Sequence, residues 1–135
     1  MVHDAAQSSK LRAYVNQGAY DEAFAALAQW ENETPFSKLG GDFTLAEARC
    51  LYALGDERRA VGVLLPFVRM DVMSSQLPEA ANLAMFSLYT LKRYDEAEQL
   101  AKDSVKRFEG LPVAQRAANL LVAIEAEREK EKEKR

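Results

Sequence analysis

The chain has 135 residues, 48% hydrophobic and 29% charged, which is ordinary globular composition with enough length to bury a core. A formal charge of −3 and a pI near 5.3 give no electrostatic footprint for nucleic acid, and no apolar run is long enough for a helical membrane span. A single cysteine, Cys50, excludes an intramolecular disulfide and any multi-cysteine zinc site, and no secretory-type apolar segment opens the chain, so the expected compartment is the cytoplasm.

In chain order, the hydrophobic pattern predicts a helical pair first. It opens at Asp4, with Gln7 placed to complete a cap, turns at Gly18–Ala19 and resumes as "YDEAFAALAQW". Gly40–Gly41 read as a connector. A second pair begins with "DFTLAEARCLYAL", where Thr44 and Glu47 fit a capping box, turns at Gly55–Asp56 and continues through Leu64 and Phe67. Pro66 falls inside that helix, and its missing N–H predicts a kink near Gly62. A third pair breaks at Lys92–Arg93 and resumes as "YDEAEQLAKDS". Gly110 and Pro112 then punctuate the start of a last helix, with a stripe of Val113, Ala117, Leu120–Leu121 and Ile124. From Glu125 to Arg135 five acidic and five basic residues alternate, predicting a solvated, fraying end supported by pairs such as Glu125/Arg128 and Glu127/Lys130. A docking arm for a partner is the alternative.

The three pairs share one frame. The two copies of "YDEA", at 20–23 and 94–97, lie 74 residues apart, twice 37, and "DERRA" stands midway at 56–60. Gly18 coincides with Gly55, and Ala23, Ala60 and Ala97 coincide. Upstream, Ala13, Cys50 and Ser87 are all small, while Leu11, Ala48 and Met85 are all apolar. Such a period marks a repeat architecture. Short turns make the paired helices antiparallel neighbours, and the recurring alanines permit close approach of their backbones.

"GAYDEA", together with Pro35 after the second helix, resembles the tetratricopeptide repeat family over roughly residues 4–110. The resemblance implies an all-α, right-handed α-solenoid of antiparallel helix pairs with about seven helices. The whole chain would form one domain, with repeats at about 4–40, 41–77 and 78–111 and a capping helix over 112–135. The period of 37 exceeds the family's usual 34, and Glu57 replaces the tyrosine in repeat two.

Catalytic constellations are missing from the sequence. His3 is the sole histidine and sits at the terminus, Cys50 reads as a small packing residue, and no lysine follows Gly40–Gly41 in phosphate-loop spacing. Asp21–Glu22 and Asp95–Glu96 occupy first helical turns, where they complement the helix dipole. No metal or other cofactor is expected. The resemblance therefore implies a non-catalytic protein-interaction module or adaptor that takes a peptide in the concave groove lined by first helices. Carried over, that groove draws on Arg12, Asn16, Leu45, Arg49, Tyr52, Asn82, Phe86 and Tyr89. Arg12 and Arg49 would form a stripe suited to carboxylates. The plainer alternatives are an ordinary solvated face for the arginines and core positions for the aromatics. The carboxylate clamp of co-chaperone members falls on Ala5, Ser9, Ala46, Glu79 and Leu83, which cannot make its charged contacts. Rival readings are a self-assembling structural subunit, motivated by a weakly apolar first helix, and a small chaperone for secreted proteins. The partner is a protein or peptide, with neither nucleic acid nor membrane expected.

Overall fold

A left-handed backbone residue closes each of three turns in the computed structural model of the protein. The structure describes residues 2–35, 41–70 and 75–134, with the side chains of residues 2–5 outside the description. Those residues form seven helices and no strand: α1 (Val2–Asn16), α2 (Tyr20–Glu33), α3 (Gly41–Ala53), α4 (Glu57–Arg69), α5 (Leu77–Thr90), α6 (Tyr94–Arg107) and α7 (Pro112–Glu133).

The turns after α1, α3 and α5 are copies of one another at the 37-residue period. Gly18 and Gly55 have φ of 75° and 83°, and Lys92 occupies the same place with φ of 62°. The Gly18 N–H donates to the Val15 carbonyl at 3.0 Å, and the Ala19 N–H reaches back to Tyr14 at 2.9 Å. Gly55→Tyr52 and Asp56→Leu51 repeat the pair at 2.9 Å each, and Lys92→Tyr89 and Arg93→Leu88 repeat it at 3.0 and 2.9 Å. This is the Schellman arrangement, which satisfies carbonyls that a helix end leaves orphaned. Second helices therefore start at 20, 57 and 94. The turns differ in their polar trim. Asp56 accepts from the Arg59 N–H at 3.3 Å, whereas Arg93 makes a two-point contact with Glu96 at 2.8 and 2.7 Å.

The chain divides into two compact units between residues 77 and 78, where the frame starts its third repeat. In the first unit, α1 packs on α2 and α3, α2 on α3, and α3 on α4. Its core gathers Leu11, Ala23, Leu27, Trp30, Phe43 and Cys50, with the fully buried Trp30 edge-on to Phe43 at a centroid distance of 5.1 Å. Burial raises the Cys50 thiol above its ordinary pKa, Glu47 adds to this and Arg49 opposes it. Cys50 is thus a packing residue, as its repeat position suggests. Ala13, at the same place in α1, is exposed instead.

Several local expectations give way here. α3 begins at Gly41, so Thr44 lies inside the helix rather than at its cap, and Gly41 is helical rather than connector. A Cβ at Gly41 would stand 2.9 Å from the Phe67 ring, so close packing requires the glycine there. Gly40 lies outside the described residues. α1 already includes Asp4 and His3 in its first turn, so Asp4 does not open it. Pro66 lies inside α4, as the sequence suggests, and is exposed.

In the second unit α6 packs along α7, which buries Val113, Ala117, Leu120 and Ile124. α7 continues past Glu125 to Glu133, and its residues from Glu129 on are exposed. Arg128 continues the buried stripe one turn past Ile124 and reaches α6, contacting Asp95 at 2.6 Å and Glu98 at 2.5 Å. That contact replaces the expected pairing with Glu125, while Glu127–Lys130 is present at 3.4 Å.

Lys92 carries a steric cost that its glycine counterparts avoid. Lys92→Gly is expected to stabilise the protein by roughly 0.5–1 kcal/mol, because relief of left-handed strain exceeds the added unfolded-state entropy. Gly55→Ala should destabilise by about 1 kcal/mol although nothing lies within 4 Å of the new methyl group. Urea unfolding of both variants checks the opposite signs.

Candidate functional site

The first helices of the repeats carry the residues singled out for binding. In the first unit α1 lies against α3. α1 presents Arg12 and Asn16 exposed, and α3 presents Arg49 half-buried and Tyr52 41% exposed. Arg12 and Arg49 hold equivalent places on these adjacent helices, each next in sequence to a buried residue of the series Leu11 and Ala48. Leu45 does not belong with them. It is 3% exposed and packs with the buried side of α3, which also holds Ala46 and Ala48. Tyr52 is the aromatic that a core assignment would misplace.

On α5, Asn82, Phe86 and Tyr89 are all half-buried. The Tyr89 ring meets Tyr94 across the turn at 5.7 Å, which is a structural contact of the turn itself. Asn82 Oδ1 is buried without a hydrogen-bond partner, as are Ser87 Oγ and Ser104 Oγ. The frame sets Asn82 opposite Leu45, Ser87 opposite Cys50 and Ser104 opposite Phe67. Unit two therefore buries polar atoms at places where unit one buries apolar ones.

The clamp-matching positions behave as packing or surface residues. Ala46 is in the core, Leu83 is half-buried, Ser9 and Glu79 are exposed, and the side chain of Ala5 lies outside the described residues. Among the described residues, no group of three or more His, Cys, Asp or Glu side chains is placed to hold a metal. No described helix is long and apolar enough to cross a membrane.

The Arg128 clasp was the feature least apparent from pairwise charge spacing. Its guanidinium bridges two carboxylates on α6, and this hydrogen bond holds Glu98 below the ordinary glutamate pKa. Beside it, Lys92, Arg93, Tyr94, Glu96 and Glu131 complete a notch of about 330 Å³ whose charges are mixed. The sequence signal was the position of Arg128 on the same helical face as Val113, Leu120 and Ile124.

A depressed Glu98 pKa contributes stability that is present above the ordinary glutamate range and lost as pH falls through the folded value. Arg128→Met should therefore lower thermal stability at neutral pH and reduce the loss seen on acidification. Melting curves from neutral to acid pH for both proteins measure this; parallel pH profiles would contradict the clasp.

Comparison of the chain with protein-family models, curated proteins and solved structures found no match.

Proposed function

We propose that the protein is a tetratricopeptide-like helical-repeat adaptor, a non-catalytic module that binds a peptide across the exposed faces of α1 and α3. The observation that carries this reading is the outward row of Arg12, Asn16, Arg49 and Tyr52 on two first helices related by the 37-residue frame. Two guanidinium groups at equivalent positions suit backbone carbonyls or acidic side chains of an extended segment, and Tyr52 offers an amphipathic anchor beside them. Right-handed coiling of the helix pairs belongs to the same proposal. A cytoplasmic setting accords with the buried, unpaired Cys50.

Peptides selected from a random library on the intact protein should be enriched in Asp and Glu. Combined Arg49→Glu and Tyr52→Ala should weaken their binding by about tenfold or more, with the urea midpoint nearly unchanged. Selected peptides that bind the double variant as tightly as the parent would remove this face from the account.

A further inference from the structure

The outer face of α4 departs from its counterparts in the 37-residue frame. Arg58 and Arg59 stand where α2 has Asp21 and Glu22 and α6 has Asp95 and Glu96. Gly62 stands where they have Ala25 and Gln99, and Pro66 where they have Gln29 and Asp103. Arg58, Arg59, Gly62, Pro66 and Arg69 are all exposed, and helical periodicity gathers them within an arc of about 100°. That arc of α4 carries no carboxylate. Asp56, at its margin, caps the helix and lies 3.8 Å from Arg59, whose side chain is still 74% exposed. Glu57 is half-buried on another side of the helix, and Asp71 lies outside the described residues.

Each of these departures is locally unfavourable. Cations in a first helical turn oppose the helix dipole, whereas the acids of α2 and α6 complement it. Glycine in a helix interior costs backbone entropy, and a methyl group at Gly62 would meet nothing within 4 Å, so packing does not require the glycine. Proline removes a helical hydrogen bond, and Pro66 therefore leaves the Gly62 carbonyl, four residues before it, without its intrahelical donor. Pro66 is exposed, so no core contact accounts for it. Breaches of local preference that converge on one face mark a functional surface. Together they present a bare Cα and an open backbone acceptor between arginines.

We infer that the outer face of α4 docks an extended acidic segment of a partner protein. Its carboxylates pair with Arg58 and Arg69, and its backbone crosses Gly62 closely enough to donate an N–H to that carbonyl. Helical rise sets Arg58 and Arg69 about 16 Å apart along the axis, which about five extended residues span. A helical occupant would use its own N–H groups internally, whereas an extended one has them free. A nucleic acid fits less well. α2 packs on α3 as α4 does, and its Asp21 and Glu22 hold the places of the two arginines, so a longer polyanion meets like charge there. This face is separate from the α1–α3 row and does not depend on it.

The test titrates the intact, isotopically labelled protein carrying Arg49→Glu and Tyr52→Ala with a peptide of alternating glutamate and serine, followed by NMR. Those two substitutions take the α1–α3 face out of the measurement. Saturable shifts are expected, centred on residues 58–70 and including the Gly62 carbonyl carbon, with an affinity that falls as salt is added. Arg58→Gln combined with Arg69→Gln should weaken binding at least about tenfold. Gly62→Ala should weaken it about fivefold or more while raising the urea midpoint, because the methyl group obstructs the segment yet favours the helix. N-methylation of the peptide amides should weaken binding by removing the donor. No saturable shift, shifts centred elsewhere, or equal binding of a lysine–serine peptide overturns the inference. So does Gly62→Ala if it leaves affinity unchanged or lowers the urea midpoint. Tighter binding of an oligothymidylate than of the peptide overturns it in favour of a nucleic acid. Concentration-dependent shifts at 58–70 without peptide also overturn it, because a second copy then covers the face.

Discussion

Each repeat depends on reversing the chain within three residues while leaving few helix-end carbonyls unsatisfied. A left-handed residue at the turn meets both requirements, directing two successive N–H groups back onto the last turn of the preceding helix. Once that geometry is set, the following helix starts at a fixed position and its alanine, Ala23, Ala60 or Ala97, is fully buried. Gly18 and Gly55 adopt the conformation without steric cost. Lys92 adopts it at a cost and keeps the same two hydrogen bonds, so the turn is maintained by the surrounding packing as well as by local preference.

This constraint explains why the 37-residue period was legible. Glycine and alanine are required where backbones reverse or touch, and such positions tolerate few substitutes, so Gly18, Gly55 and the alanine series survive as sequence marks. At Lys92 no glycine marks the turn; the break in the apolar pattern at Lys92–Arg93 and its place in the frame identify it. Helix starts were less legible than turns. Thr44 with Glu47, and Asp4 with Gln7, have capping spacing, yet α3 and α1 begin upstream of them, because cap residue types recur by chance and burial of Phe43 and Leu45 favours an earlier start.

The candidate binding face was legible in part. Arg12, Asn16 and Tyr52 are exposed and Arg49 half-buried, but Leu45 belongs to the buried side of α3. Arg128 shows the limit of local charge spacing. Its spacing suggested a pair on its own helix, yet the two carboxylates it contacts lie on α6, and two partners there outweigh one exposed neighbour.

The central claim is that one hydrogen-bonded turn recurs every 37 residues. Amide hydrogen exchange followed residue by residue by NMR tests it most directly. The account predicts protection at Gly18, Ala19, Gly55, Asp56, Lys92 and Arg93, well above the rates of unstructured peptides, although these residues lie between helices. Exchange at unstructured-peptide rates at Lys92 and Arg93, with protection retained at the two glycine turns, would contradict the three-fold frame.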